Sequence, residues 1–95
     1  MSTPEQRLSL NALRAALNHP TLVVTTHTEV NDSIRVDIAP EESYYRGHYT
    51  VTHSIYVEPE GTLFTDGYLD DGMDALVSER FDRDDTDHET YHRKD

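Results

Sequence analysis

Two histidines near the end of the printed sequence have a spacing that can hold a metal ion. The pentapeptide from His88 to His92 spells H-E-x-x-H, which on a helix brings two imidazoles to one face beside a carboxylate. The surrounding residues lack the apolar side chains that would bury such a helix, and a third ligand would have to come from upstream. We therefore treat His88 and His92 as weak metal candidates, with a nearby carboxylate such as Asp84, and favour a solvated segment.

Three further histidines, His27, His48 and His53, are candidates for ligands or for acid-base groups. His27 is expected opposite Asp37 on a neighbouring strand, where the carboxylate could orient the imidazole ring. The sequence offers no matching nucleophile, no glycine-rich phosphate loop and no pair of carboxylates in a predicted cleft. It therefore assembles no reaction class, and it predicts a non-enzymatic protein without a cofactor.

Aromatic residues in the middle of the chain predict a protein interface. Large rigid rings beside an arginine are typical of interface hot spots. A homodimer formed through this segment is one expectation. The alternative is structural: Tyr49 belongs to the core, Tyr56 pairs with Phe64, and the preceding tyrosines lie on an edge. The candidate interface residues are Tyr44, Tyr45, Arg46, Tyr56, Phe64 and Tyr68.

An N-terminal helix is the clearest of the elements that must position these residues. Thr3 stands before Pro4, and Gln6 follows at the third helical position, which is the pattern of a capping box. The sequence predicts a helix over residues 4–17 that packs one apolar stripe on a sheet. The stripe consists of Leu10, Leu13, Ala16 and Leu17.

A first β-hairpin is predicted to join residues 22–30 to residues 34–38. A loop of residues 31–33 would pair Val30 with Ile34 and put the apolar residues of both strands on one face. The same register sets Glu29 opposite Arg35, which is a complementary cross-strand pair.

A second hairpin is predicted around the turn Pro59-Glu60-Gly61, where proline fixes φ and glycine takes the left-handed conformation. Its first strand should include the alternating residues from Tyr49 to Val57, and its second strand should cover residues 62–66. In this register Val57 faces Leu63, and Tyr56 meets Phe64 on the opposite face.

The remaining residues predict a short second helix and an acidic tail. Asp71 is the predicted N-cap of this helix, which should extend to Phe81, and residues 82–95 contain Tyr91 as their one large apolar side chain. The predicted fold class is α+β, with the N-terminal helix packed on an antiparallel sheet of three to four strands in two hairpins. Residues 1–81 form the predicted domain, and residues 82–95 form the flexible acidic tail.

Charge limits the classes of partner. The chain has 19 acidic and 8 basic side chains, a net charge of −11, one lysine and no cysteine. Such a chain repels nucleic acid and anionic lipid, so we expect no direct electrostatic binding to either. The composition resembles that of haloarchaeal proteins, in which carboxylates keep the surface hydrated at high salt. No signal peptide or long apolar stretch is visible, which predicts a cytoplasmic protein without a membrane segment.

Three functions remain open from the sequence. The first is a small interaction or regulatory protein, with a partner that has a basic face or with a second copy of itself. The second is an acidic mimic of nucleic acid, or a transcription-related protein, that acts on a DNA-binding partner. The third is a metal-binding protein that uses His88 and His92. Seven acids and one base within residues 58–81 make that region the expected contact for a basic partner.

Overall fold

A six-stranded antiparallel sheet carries both helices on one face, which confirms the α+β class. The computed structural model describes residues 2–94. The sequence predicted three to four strands, and the structure has six, in the order β1-β2-β3-β4-β6-β5. Met1 of the predicted domain and Asp95 of the predicted tail lie outside the described residues. The elements are α1 (Pro4–Ala16), β1 (Leu22–Thr28), β2 (Ile34–Pro40), a 3-10 turn (Glu41–Ser43), β3 (His53–Val57), β4 (Leu63–Thr65), α2 (Asp71–Val77), β5 (Phe81–Arg83) and β6 (Thr90–Arg93).

The start of α1 follows the predicted cap, but Gln6 does more than cap. The backbone N–H of Gln6 donates to Thr3 Oγ1 at 3.0 Å, as expected of an N-cap. Its side chain turns away from the cap and is buried, donating to the carbonyl oxygens of Asp32 (2.8 Å) and Val57 (2.9 Å). One amide therefore ties the first turn of α1 to both hairpins.

The second turn of α1 lies directly against the second hairpin loop. Ser9 Oγ donates to the carbonyl of Gly61 at 2.5 Å. Gly61 has φ +96°, and a Cβ placed there would approach the Glu5 carbonyl oxygen at 3.1 Å. Arg93 of β6 closes the same region by donating to Ser9 Oγ at 2.9 Å. Glycine is required at position 61 both for its positive φ and for this close approach.

The first hairpin has the predicted loop length but a register shifted by two residues. Glu29 N donates to Ser33 O at 2.8 Å, so the three-residue loop is 30–32, and Ile34 pairs with Thr28. The prediction that Val30 pairs with Ile34 was wrong, because Val30 lies in the loop with its side chain fully exposed. Asp32 takes the left-handed conformation at φ 66°, which aspartate tolerates better than serine. A shift of two keeps the apolar residues of both strands on the helix side.

The second hairpin matches its predicted register. Val57 pairs with Leu63 and Tyr56 with Phe64, and Glu58 N donates to Thr62 O at 2.9 Å across the three-residue loop. The first strand of this hairpin is shorter than predicted, because β3 begins at His53. Tyr49 precedes it and lies outside the sheet with its side chain exposed.

The C-terminal segment corrects the prediction of a flexible tail. Residues 81–83 and 90–93 form a hairpin, and β6 enters the sheet between β4 and β5. Phe81, which was predicted to end the second helix, is the first residue of β5, since α2 ends at Val77. Phe81 and Tyr91 are both fully buried in the same apolar cluster as Leu13 of α1. Residues that looked like a solvated tail therefore complete the core.

Tyr91 also makes a polar contact between the sheet and α2. Its hydroxyl donates to Asp74 Oδ1 at 2.5 Å. Burial, together with this hydrogen bond to a carboxylate, raises the pKa of Tyr91 to about 12. The neutral phenol is therefore favoured in the folded state.

We expect the free energy of unfolding to fall as pH rises from about 10, the pKa of an unfolded tyrosine, to the folded pKa of about 12. The folded state binds the phenolic proton of Tyr91 more tightly than the unfolded state does. This stabilisation of the fold is therefore complete below pH 10 and is lost as the pH rises from about 10 to about 12. Urea unfolding at several pH values checks this. The Tyr91→Phe variant should show a shallower fall, and equal slopes for the two proteins would contradict the assignment.

Neither helix within residues 2–94 has the length and apolar character needed to cross a membrane.

Candidate functional site

Most of the large apolar side chains that remain exposed lie at one end of the sheet. At this end β2 finishes, β3 begins and β4 finishes, so residues 41–52 and 66–70 both leave from it. We call the five exposed residues on these segments the aromatic end. They are Tyr44, Tyr45, Tyr49, Val51 and Tyr68. The density of exposed rings marks this end as the best candidate for a contact surface.

Residues 44–49 form a short hairpin, which we call the tyrosine ribbon. Tyr45 N donates to His48 O at 2.8 Å, and His48 N donates back to Tyr45 O at 3.1 Å. The two residues between them, Arg46 and Gly47, have φ values of 50° and 86°, as a type I′ turn requires. The ribbon is therefore a defined structure rather than an irregular loop.

Side chains stiffen the ribbon on both sides. The Tyr44 and Tyr49 rings meet edge to face with centroids 5.1 Å apart, and the Arg46 guanidinium lies 5.2 Å from the Tyr45 ring centroid. At its base, Ser43 Oγ accepts from Thr50 N at 3.0 Å. Rings fixed in this way lose little entropy when a partner binds.

An apolar groove of about 410 Å³ opens at the same end of the sheet, between the end of β2 and the start of α2, and no residue of the ribbon lines it. Leu22, Pro40, Met73 and Leu76 contribute to its walls. His53 lies in it, with Nε2 3.0 Å from Asp70 Oδ2 and Nδ1 2.9 Å from Thr52 Oγ1. Both nitrogens of this imidazole have partners.

One carboxylate, that of Asp70, borders this groove, and two more border the hollow next to it. Glu41 and Glu42 border the adjoining hollow at the end of β2, and Asp71 follows Asp70 at the start of α2. Asp70, rather than the predicted Asp71, caps α2 by accepting from Met73 N at 2.8 Å, because the helix begins one residue earlier than the predicted cap implies. This backbone hydrogen bond, followed by the contact with His53, lowers the pKa of Asp70, so its carboxylate stays ionised at neutral pH. The groove is mainly apolar, and the ionised Asp70 borders it.

Tyr56 and Phe64 lie away from the aromatic end, on the face of the sheet opposite the helices. Their ring centroids are 6.3 Å apart across β3 and β4. Phe64 remains partly exposed, and the pair borders a shallow hollow of about 300 Å³ with Ser33 and Glu58. The six predicted interface residues therefore do not form one patch.

A polar network occupies the same open face on β1, β2 and β3. Asp37 Oδ1 accepts from Arg35 Nε at 3.0 Å and from Ser54 Oγ at 2.7 Å, while His27 Nε2 lies 3.4 Å from Oδ2. The predicted pairs His27 with Asp37 and Glu29 with Arg35 both contact, although the shifted register makes them diagonal neighbours. Ser54 donates to the carboxylate and not to the imidazole, so this is not the order of a Ser-His-Asp relay.

The two histidines of the H-E-x-x-H pentapeptide point to separate partners. Residues 90–93 form a strand, so the helix that would align both imidazoles is absent. His92 Nε2 lies 2.8 Å from Asp84 Oδ2, and the His88 ring lies 5.5 Å from the Tyr68 ring. In residues 2–94 no group of three His, Cys, Asp or Glu side chains is arranged to hold a metal ion.

Sequence reasoning missed the exposure of Tyr49 and Val51, which it placed in a strand. The signal that could have found them is the dipeptide Arg46-Gly47, because glycine in a short gap between polar and aromatic residues favours a tight hairpin turn. The prediction of a strand relied instead on the alternation of apolar residues from Tyr49 to Val57. Such alternation also fits an exposed ribbon.

Comparison with protein families, with curated proteins and with solved structures finds no match, so the argument for function rests on the residues described above.

Proposed function

We propose that this chain is a small, non-enzymatic interaction protein that binds a protein partner at the aromatic end and the groove beside it. The observation that carries the proposal is the tyrosine ribbon, in which a type I′ turn holds exposed rings at the end of the sheet where an apolar groove also opens. Isolated exposed rings are ordinary on a protein surface, but five exposed apolar residues at one end are a feature of contact surfaces.

Charge supports a partner with a basic face. The groove is bordered by Asp70 and lies next to Glu41 and Glu42, and the whole chain carries a net charge of −11. Complementary charge would increase the association rate, and the rings would supply the contact area. The DNA-binding surface of a protein is basic, so a nucleic-acid mimic, as predicted above, would bind it through the same end. A cytoplasmic location and adaptation to high salt are part of this proposal.

One feature of the open face favours binding over catalysis. On the open face, the Ser54 hydroxyl donates to Asp37 and is not aligned with His27.

A photo-crosslinking amino acid placed at Tyr45 or at Tyr68 tests the proposal in cells that express the natural partner. We expect one discrete crosslinked product from both positions and none from Leu8, an exposed apolar position on α1. Replacing Tyr45 and Tyr68 together by serine should weaken the captured complex about tenfold or more. Binding that weakens as salt is raised to about 2 M would support a basic partner. Equal crosslinking from Leu8, or no product from either tyrosine, would contradict the proposal.

A further inference from the structure

β1 forms one outer edge of the sheet, and within residues 2–94 no other strand pairs with its free side. The hydrogen bonds from Glu29 N to Ser33 O and from Glu41 N to Thr21 O show that odd-numbered residues bond to β2. In an antiparallel pair the alternate residues direct their N–H and C=O groups away from that neighbour. Val24, Thr26 and Thr28 therefore present unpaired backbone groups outward.

This edge lacks the features that keep free strands from pairing. Natural sheets protect their edges with charged side chains, proline, bulges or very short strands. The other edge strand, β5, has three residues and carries Asp82 and Arg83. By contrast, β1 has seven residues, and residues 15–28 contain no charged side chain, although 28% of the chain is charged. The difference indicates that β1 is paired when the protein functions.

A second observation at the same edge points to something that covers it. Leu22 and Val24 face the helix side of the sheet, yet both are only partly buried. A hollow of about 410 Å³ lies along them, between β1 and the last turn of α1. A strand added beside β1 would cover these side chains and complete the backbone hydrogen bonds together.

We propose that β1 pairs in antiparallel fashion with β1 of a second copy of this chain, which joins two six-stranded sheets into one. The register that pairs all seven residues is centred on Thr25, and it makes Val24 and Thr26 a hydrogen-bonded pair. Charge argues for a second copy: two chains of net charge −11 repel each other, and this uncharged segment is where they can approach with no carboxylates in contact. The surface shares Leu22 with the groove but no residue with the aromatic end, and the tests at Thr25 and at the tyrosines use different residues, so the two proposals can fail separately.

Disulfide trapping tests the register, because the chain contains no native cysteine. In this pairing the two copies of Thr25 lie directly opposite, with Cβ atoms about 5 Å apart. The two copies of Thr28 lie about 20 Å apart along the strands. We expect Thr25→Cys to form a covalent dimer on mild oxidation and the matched control Thr28→Cys to remain mostly monomeric. Both positions are exposed, so both variants should fold. Equal yields from the two variants would overturn the register.

Sedimentation of the unmodified chain at about 2 M salt, where charge repulsion is screened, should show a dimer. Thr25→Lys places two like charges opposite each other and should raise the dissociation constant at least tenfold, with unchanged circular dichroism. Asp82→Lys changes charge on the other edge strand and should leave the dimer intact. A monomer at about 100 µM in high salt would overturn the proposal. So would a Thr25→Lys variant that dimerises as tightly as the unmodified chain, or a different protein found on β1.

Discussion

Replacing Tyr91 by alanine should lower the free energy of unfolding by about 3 to 5 kcal/mol. The ring is fully buried in the apolar cluster, and its hydroxyl donates to Asp74 Oδ1 at 2.5 Å. The substitution therefore leaves a cavity and also removes the shortest hydrogen bond to the Asp74 carboxylate of α2. For a small domain with about 5 to 15 kcal/mol of total stability, this is a large fraction. Tyr91→Phe removes only the hydroxyl and should cost about 1 to 2 kcal/mol.

Urea unfolding followed by circular dichroism measures these differences. The matched control is His92→Ala, on the same strand, where the side chain lies on the opposite face and is half exposed; it should change stability by less than about 1 kcal/mol. Tyr91→Ala with the stability of the unmodified chain would mean that residues 82–94 do not belong to the core.

Replacing Gln6 by leucine should cost about 1 to 3 kcal/mol, which is unusual for a polar residue on a surface helix. Leucine has a similar volume but no N–H, so the carbonyl oxygens of Asp32 and Val57 each lose the hydrogen bond from the Gln6 side chain. Each lost hydrogen bond costs about 0.5 to 1.5 kcal/mol. Because these carbonyls belong to different hairpins, one substitution loosens both.

Asn11→Leu is the control for Gln6→Leu, since it makes the same kind of change at an exposed position of α1. It should alter stability by less than about 0.5 kcal/mol. Hydrogen exchange should locate the difference: in Gln6→Leu the amides of both hairpins should exchange faster. Equal stabilities of the two leucine variants would show that the Gln6 amide does not hold the hairpins.

The parts of the fold that were predicted correctly are those specified by local sequence. Thr3 and Pro4 define the start of α1, and Pro59 and Gly61 define a turn that has one favourable register. The first hairpin was misplaced because Val30 was assumed to be buried. In the loop that forms, Val30 is exposed and Asp32 takes the left-handed conformation, which aspartate tolerates better than most residues.

The last two strands could not be predicted, because their stability comes from distant residues. β5 has three residues and β6 has four, and each contributes one large apolar side chain, so neither shows a periodic pattern. Phe81 and Tyr91 become core residues only because β4 offers an unpaired edge and α1 and α2 cover that face. An acidic composition describes the exposed side of such strands and conceals the buried one.

The candidate site was predicted in part. Tyr44, Tyr45, Arg46 and Tyr68 lie at one end of the sheet, while Tyr56 and Phe64 lie on its open face. The residue types predicted a contact surface. Which aromatic rings lie at the same end of the sheet depends on the path of the chain after β2 and β4, which the residue types do not give. His53 and Asp70 are 17 residues apart in sequence, and their contact depends on that same path.

The hydrogen bonds of α1 have a consequence for the kinetics of folding. Gln6 reaches residues 26 and 51 positions away, Ser9 reaches one 52 positions away, and Arg93 reaches back 88 positions to Glu5. Each contact forms only after a long loop has closed, which costs entropy before any stabilising contact is gained. An isolated helix can form within microseconds, but the contacts that stabilise α1 form only when the sheet forms. We therefore expect the chain to fold on a timescale of milliseconds to seconds.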